Sequence, residues 1–416
     1  MQRHKLAQIF DKIAVISLHC FIFTLPFSKS LVEIFFGIAF LAWFFKKVLL
    51  RSLKFAYTEL NVPILGFLSA AFISMLTSVS LSLSLEGFFF KFLEWILIFF
   101  IAVETLSDGK RIKRIFITMT TAMLLISCDG IFQKIKGFDF LRHFFVEGTG
   151  VQASFNNPND FAGWLLVMIF MAFSLAYFLK GDIFLEKYRI KKSAAKTVFL
   201  VITGLLLIAL FFTCSMGAWI AFVVSFIFLG IMKSKKLLLF SLALFLILPV
   251  ILPGLVKQRL VSMIKLEDTS TVARVILWAE AVNIIKDYPV FGTGPNTYTE
   301  VVSAYKTSEG TGVYPHNSYL RLTVETGIAG IVSFLWIIIV LFLSLWETVK
   351  KIASDNIYGI LLTGLLAGTL AFLIHCAVDT NLHSLQLGAL IWFVFGLMFA
   401  VKKAAENTLD AVNGNS

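Results

Sequence analysis

The feature that most constrains this chain is a series of long apolar runs that recurs from one end to the other. Runs of about 17 to 22 residues alternate with polar connections, and roughly 20 apolar residues are needed to cross the hydrocarbon core of a bilayer. Only 15% of the 416 residues are charged, whereas soluble domains average roughly 25%. The sequence therefore predicts an all-α integral membrane protein, in which residues 1–416 form a single polytopic membrane domain.

About twelve transmembrane helices are predicted, and basic residues indicate their orientation. The approximate spans are residues 12–28, 30–45, 62–79, 89–106, 115–132, 160–179, 197–213, 216–232, 237–254, 326–346, 357–378 and 387–401. Alternate connections hold 24 of the 36 lysines and arginines, and such enrichment is typical of cytoplasmic loops. Both chain termini are therefore predicted to be cytoplasmic. The same pattern explains the excess of basic residues without a nucleic-acid partner.

Two connections on the predicted outer side are long. They cover residues 133–159 and residues 255–325, the second lying between helices nine and ten. A structureless loop of that length is improbable in a compact protein, so we expect 255–325 to be a folded and functional extracytoplasmic loop. Residues 268–271 offer capping side chains to a helix over 272–287, which ends before Pro289.

His316 is the first candidate for a catalytic residue, because it lies at the predicted outer mouth of the helix bundle. Imidazole changes its protonation state near neutral pH and can therefore take a proton from a substrate. The alternative is an interfacial histidine at the start of the next helix, where Asn317 suits a capping position.

The late loop carries an ordered set of motifs. They are Arg274-Val-Ile-Leu-Trp278, Pro289-Val-Phe-Gly292-Thr-Gly294-Pro-Asn296, His316-Asn317-Ser-Tyr-Leu320 and Glu325-Thr-Gly327, preceded by Asn156-Asn157-Pro158-Asn159-Asp160 at the sixth span. In this order and topology, the motifs resemble the signature of the O-antigen ligase and polymerase superfamily.

That resemblance implies a GT-C-like, metal-independent and inverting glycosyltransferase, whose donor is a glycan on a polyprenyl (undecaprenyl) diphosphate. By this analogy His316 would deprotonate the acceptor hydroxyl, and Arg274 would hold the diphosphate leaving group. A guanidinium suits that role because it is a permanently charged, planar fork for phosphate oxygens. Substrate contacts are expected from Arg321, Glu325, Asn317, Asn156, Asn159, Gly292 and Gly294. No cofactor is implied.

One position departs from the family pattern. The family usually carries Ser-Arg-Gly between the seventh and eighth spans, where this chain has Met216 in place of the arginine. Methionine cannot bind phosphate. Either donor binding differs, or another cation, such as Arg321, Lys257 or Arg259, supplies the second positive charge.

Four further residues near the outer side allow more than one interpretation. Arg321 either faces the same cavity as His316 or extends to the lipid headgroups. Glu325 either orients His316 or pairs with an arginine. Asp379 and His383 fall on the last external connection, where the alternatives are a gating or acceptor contact and, as we expect, an exposed turn.

No metal site is predicted. Metal-dependent transferases of comparable topology commonly place an acidic pair in the first external loop, which here covers only residues 27–30 and contains no acid. The acids elsewhere on the outer side are too few and too scattered for a divalent-cation site.

The leading hypothesis is an O-antigen ligase that joins a lipid-linked glycan to a hydroxyl acceptor such as lipid A-core, at the periplasmic face of the bacterial inner membrane. Within the superfamily, a polymerase would instead extend the glycan, and a protein-glycosylating relative would modify protein hydroxyls. The alternative from another class is a transporter or flippase for the lipid-linked glycan. Transporters typically have charged or broken helices at the membrane midplane, often in repeated halves; here the polar residues concentrate in one external loop.

Overall fold

The computed structural model describes residues 2–146, 150–185, 188–251, 269–307, 312–352 and 356–413. Most of these residues lie in helices, and the one sheet in this part of the chain is a two-stranded antiparallel hairpin. The first helices are α1 (Gln2–Thr24), α2 (Lys29–Leu49), α3 (Asn61–Leu76), α4 (Leu81–Gly87), α5 (Glu94–Thr105), α6 (Gly109–Lys136) and α7 (Pro158–Phe178). A π-helical segment, Phe88–Leu93, joins α4 to α5.

The second half of the chain begins with the hairpin. Its elements are β1 (Ile183–Leu185), β2 (Tyr188–Ile190), α8 (Lys192–Phe212), α9 (Met216–Lys233), α10 (Lys235–Ile251), α11 (Thr269–Asp287), α12 (Tyr298–Val301), a 3-10 turn (Val302–Tyr305), α13 (Ser318–Lys351), α14 (Ile357–His375), a second 3-10 turn (Asn381–His383) and α15 (Leu385–Asn413).

Each of the twelve predicted spans overlaps helical structure. Among the described residues, eight helices are long and apolar enough to cross a membrane, namely α1, α6, α7, α8, α9, α13, α14 and α15, and α3 is a shorter apolar helix. The all-helical class is confirmed and a multi-pass membrane protein is supported, whereas the number of twelve spans stays a prediction.

The helices α7, α14 and α15 are the most buried of these eight. A Cβ atom on Gly368 of α14 would lie 2.6 Å from the carbonyl oxygen of Val167 in α7, and one on Gly364 would lie 2.8 Å from that of Phe170. Small residues spaced in this way let two membrane helices approach until their backbones touch. This close packing fixes α7 against α14, and the start of α7 and the end of α14 carry residues of the site described below.

The boundaries of the extracytoplasmic loop, 255–325, stay a prediction. The helix start predicted at Asn317 is present, since α13 begins at Ser318. Asn317 caps it, since its side-chain oxygen accepts from the amides of Tyr319 and Leu320, both at 3.0 Å. The predicted capping residue Asp268 of the preceding helix lies outside the described residues, in which α11 begins at Thr269.

The helix α13 is broken at Gly327, whose φ of 66° and ψ of −170° are not helical. The amides of Ile328 and Ala329 donate instead to the carbonyls of Pro289 and Val290, at 2.9 and 3.1 Å. Buried amides that leave a helix need such partners. The break therefore ties α13 to the segment 289–297, which we call the strap.

The strap completes the other side of the break. The amides of Thr293 and Gly294 donate to the carbonyls of Val324 and Glu325, at 2.8 and 3.0 Å. Gly292 has a φ of 74°, and a Cβ atom there would lie 2.5 Å from the oxygen of Val324. Backbone conformation and close approach thus both require glycine at this position.

Replacing Gly292 with alanine is expected to destabilise the protein strongly. A positive φ costs a non-glycine residue about 1–2 kcal/mol, and the clash with α13 adds to this cost. Gly137→Ala is the matched control, because Gly137 has a φ of 85° but no atom within 4 Å of the added Cβ. Thermal unfolding in detergent measures both variants; an equal loss of stability would show that the strap does not clamp α13.

Candidate active site

The connections that carry the sequence motifs meet at one end of the bundle. The amide of Val79 donates to the carbonyl of Thr293 in the strap at 3.0 Å. The amide of Ser318 donates to the carbonyl of Cys376 at 2.8 Å. The basic connections lie at the opposite end, where Lys47 forms an ion pair with Glu104 at 2.7 Å. The helix ends therefore bring residues 156–160, the strap, 314–325 and 375–383 to the same region.

His316 lies against a buried carboxylate. Its Nδ1 is 3.8 Å from Oδ1 of Asp379, whose side chain is 8% exposed, whereas the His316 side chain is 44% exposed. Nδ1 is itself buried and has no hydrogen-bond partner among the described residues. The ring therefore turns its Nδ1 edge towards Asp379 and leaves the edge with Nε2 facing outward.

Asp379 is held by several neighbours. Its carboxylate accepts from the amide of Thr380 at 2.7 Å and from the side-chain amide of Asn159, and its carbonyl accepts from the hydroxyl of Ser318 at 2.8 Å. Burial alone would raise the pKa of Asp379, but the interactions with His316 and His375 outweigh it and hold this pKa below its usual value. The expected exposed turn is thus wrong: Asp379 is a buried, ionised group that lies against His316.

Arg274 approaches the same site from α11. Trp278, one helical turn later, donates from Nε1 to the carbonyl of Pro315 at 2.7 Å and so holds α11 over the residue before His316. The Nε of Arg274 is buried and has no hydrogen-bond partner among the described residues, and the positive charge of Arg274 acts on the ring of His375. Buried donors are rarely left unpaired in the absence of a ligand or water, so Arg274 is available to an anionic group.

The turn that carries Met216 also lies at the site. Oγ of Ser215 lies 3.3 Å from Nε2 of His375. Nδ1 of the same ring lies 2.7 Å from the side-chain nitrogen of Asn381. Sequence reasoning missed His375 and Asn381, because neither stands in a motif. Two cations considered in place of the missing arginine, Lys257 and Arg259, lie outside the described residues.

A second polar cluster lies on the first turns of α13. Arg321 Nε donates to Oε1 of Glu325 at 2.9 Å, and both side chains are buried. The guanidinium also stacks on Tyr314 at 4.9 Å from the ring centre. Glu325 therefore pairs with an arginine rather than with His316, and Arg321 points into the protein rather than to the lipid headgroups. Its Nε is already engaged, whereas the Nε of Arg274 has no hydrogen-bond partner among the described residues.

Lys91 reaches this cluster from the π-helical segment. Its amine donates to Oδ1 of Asn296 in the strap at 2.6 Å, and Asn296 adopts a φ of 65°. A π-helical segment displaces side chains from the usual helical register and is frequent at functional sites. Here it directs a lysine from the fourth predicted span towards the late loop.

The remaining predicted site residues, apart from Asn156, have structural contacts. Asn156 is exposed, whereas Asn159 contacts Asp379 and Asn317 caps α13. A Cβ atom on Gly294 would lie 2.1 Å from Oγ of Ser78, so Gly294, like Gly292, occupies a position where the strap packs tightly. These glycines shape the site through the backbone.

His383 was also expected on an exposed turn, but its side chain is only 5% exposed and its Nε2 lies 3.7 Å from Oε2 of Glu325. Burial, together with the charges of Arg321 and Lys91, holds the pKa of His383 well below its usual value. Neither ring nitrogen has a hydrogen-bond partner among the described residues. The imidazole is therefore neutral in the folded protein.

Because His383 is neutral in the folded protein, we expect the protein to lose stability in acid. The substitution His383→Leu should reduce this loss. Below about pH 6.5 the unfolded chain protonates this imidazole and the folded protein does not, so the free energy of unfolding falls by about 1.4 kcal/mol per pH unit. Above that pH the residue has no such effect. Melting temperatures between pH 5 and 7 measure the slope, with the exposed His4→Leu as control; an unchanged slope in His383→Leu contradicts the prediction.

The comparisons with known proteins agree with the motifs. The family model described as O-antigen ligase matches residues 201–335, a segment that runs from α8 into α13 and contains Arg274, the strap, His316 and Glu325. The predicted resemblance to the O-antigen ligase and polymerase superfamily is thereby confirmed. No curated protein matches the chain. In the described parts of the chain, no group of three or more His, Cys, Asp and Glu residues is arranged to hold a metal ion.

Proposed function

We propose, with the O-antigen ligase match as the premise, that this protein transfers a glycan from an undecaprenyl diphosphate carrier to a hydroxyl acceptor such as lipid A-core. The observation that carries the proposal is the position of His316 against the buried carboxylate of Asp379. The Nε of Arg274, on the helix that Trp278 holds against Pro315, is buried and has no hydrogen-bond partner among the described residues. A base and a cation at one site suit a hydroxyl nucleophile and an anionic leaving group.

His316 is the proposed general base. The carboxylate of Asp379 favours the tautomer with hydrogen on Nδ1, which leaves the lone pair of Nε2 for the acceptor hydroxyl. The same carboxylate stabilises the imidazolium that forms when the proton is taken. The distance of 3.8 Å between Nδ1 and Asp379 exceeds a hydrogen bond, and contacts of this kind tighten when substrate is bound.

Arg274 is the proposed partner of the diphosphate. The acceptor oxygen forms a bond to the anomeric carbon as the bond from that carbon to the phosphate oxygen breaks, which inverts the configuration. Negative charge then gathers on the departing undecaprenyl diphosphate, and a guanidinium stabilises it through charge-assisted hydrogen bonds. No cofactor takes part in the proposed reaction.

We place the site at the periplasmic face of the bacterial inner membrane. The support is the distribution of charge: the site lies at the bundle end opposite the basic connections, and basic connections are typical of the cytoplasmic side. Both termini are then cytoplasmic. This placement suits an acceptor that is reached from outside the cell membrane.

The activity is tested with purified protein in detergent, supplied with a glycan on undecaprenyl diphosphate and with lipid A-core. The expected result is an acceptor whose mass increases by the glycan, with release of undecaprenyl diphosphate. Lengthening of the lipid-linked glycan without transfer to lipid A-core would indicate a polymerase instead. Movement of the donor between the leaflets of vesicles, without any transfer in detergent, would indicate a transporter.

A further inference from the structure

A cavity of about 230 Å³ lies at the end of the bundle opposite the candidate active site. It is formed by the first turns of α6, α8 and α14, by the end of α7 and by the β1–β2 hairpin. Representative lining residues are Phe116, Leu175, Ala195, Phe199 and Leu361. These residues lie next to the basic connections, so the cavity is at the same end of the bundle as those connections.

The inside of the cavity is apolar. Thr120 and Thr121 are among the few lining residues with polar atoms, and their hydroxyls donate to the carbonyls of Phe116 and Ile117 in their own helix, at 2.7 and 3.0 Å. Both hydroxyls are therefore already engaged within α6. Water is not stabilised in such a space, since it needs two or more polar partners. The cavity suits a hydrocarbon chain.

The cavity opens sideways, towards the surroundings of the bundle. Two of its lining residues, Ile117 on α6 and Val198 on α8, are also exposed on the outer surface, at 46% and 52%. Exposed apolar side chains on two helices that span a bilayer face lipid rather than water. An acyl chain of the surrounding membrane therefore reaches the cavity between α6 and α8 without crossing a polar surface.

The rim of the cavity is strongly basic. Lys113 is one of the lining residues. The described residues of 108–114 and 180–196 contain nine basic and two acidic side chains. Arg111 is paired with Asp108 and with Asp11 of α1, and Arg189 is paired with Asp182 at 2.6 Å, which leaves seven further basic side chains in these segments. Basic pockets between transmembrane helices on the cytoplasmic side bind anionic lipid headgroups. Charge and shape thus select the same ligand: an apolar chain that carries a negative headgroup.

We propose that this cavity binds one acyl chain of an anionic phospholipid of the cytoplasmic leaflet, with its phosphate near Lys113 and the first turn of α8. The site is separate from the proposed active site and does not depend on the proposed chemistry; its leaflet rests on the orientation proposed above. A chain in this cavity contacts α6, α8 and α14 and so adds to their packing at this end of the bundle.

The test uses full-length protein reconstituted in vesicles with equal amounts of phosphatidylglycerol and phosphatidylcholine, then analysed by native mass spectrometry. The expected result is one retained phosphatidylglycerol per protein. Ala195→Phe fills the cavity and is expected to abolish retention. The matched control is Ala194→Phe, which places the same side chain on the exposed face of α8 and should leave retention unchanged.

A second variant keeps the test informative if Ala195→Phe folds poorly. Lys113→Gln removes one charge and is expected to lower the ratio of bound phosphatidylglycerol to phosphatidylcholine about fivefold, whereas Lys403→Gln, an exposed lysine on α15, should not. Equal retention of both lipids by the unaltered protein would overturn the proposal. So would full retention in Ala195→Phe, or a retained lipid identified as polyprenyl phosphate.

Discussion

Replacing His316 with glutamine is expected to lower the kcat of glycan transfer by about 10²–10⁴-fold, the usual contribution of a positioned general base. Glutamine can still form hydrogen bonds at this position, but it cannot accept the proton of the acceptor hydroxyl. KM for the donor should change little, because the base acts mainly in the transition state. Initial rates of transfer to lipid A-core at saturating donor measure the effect.

The matched control for this variant is His143→Gln. His143 is exposed. Its φ of 55° is close to the 46° of His316, so both substitutions place glutamine in the same left-handed backbone conformation. Full activity is expected in His143→Gln. If His316→Gln also retains the activity of the unaltered protein, His316 is not the base.

Asp379→Asn tests the orienting role of the carboxylate. The amide keeps the shape of the side chain but no longer stabilises the imidazolium, so kcat should fall about 10²-fold with little change in KM. A purely structural role would instead lower the amount of folded protein and leave kcat per folded molecule unchanged. Quantifying folded protein by its melting transition separates these two results.

Replacing Arg274 with lysine is expected to lower kcat by about 10²–10³-fold, which is the cost of removing one preorganised donor from a developing negative charge. Lysine keeps the positive charge but lacks the planar fork that binds two phosphate oxygens. Since Nε of Arg274 is buried and unpaired among the described residues, the substitution breaks no hydrogen bond of Nε there. The loss therefore reports on the ligand.

Two further variants sharpen this prediction. Arg51→Lys, at an exposed position of the opposite end, is the matched control and should be fully active. Arg321→Lys probes the other buried guanidinium, which is already paired with Glu325. A normal rate in Arg274→Lys together with a large loss in Arg321→Lys would move the diphosphate to the second cluster and refute the proposed role of Arg274.

Much of the helical scaffold follows from local sequence. Long apolar runs form helices in a bilayer because every backbone amide and carbonyl must then be satisfied within the helix itself. Capping residues also act locally, so the start of α7 at Pro158 and of α13 at Ser318 is explained by the preceding asparagines. Local sequence is insufficient at Gly327, where the helix breaks only because the strap supplies other partners.

The candidate site was predictable only in part. His316, Arg274 and the strap glycines stand in motifs that the sequence itself displays. Asp379 does not: it follows α14, far along the chain from His316, and an isolated aspartate on a short connection is usually exposed. The contact between Ser215 and His375 was not predictable either, because it joins two helix ends that are distant in sequence.

What the sequence by itself determined is the membrane class, the approximate helices and the motif residues, since these depend on composition and on neighbours along the chain. What only the tertiary structure decided is which charges are paired. Packing of the ends of α7, α13 and α14 buries Asp379 against His316 and pairs Arg321 with Glu325, while the Nε of Arg274 has no partner among the described residues. Burial makes this difference matter, because a charge removed from water is stabilised only by the groups that the fold brings to it.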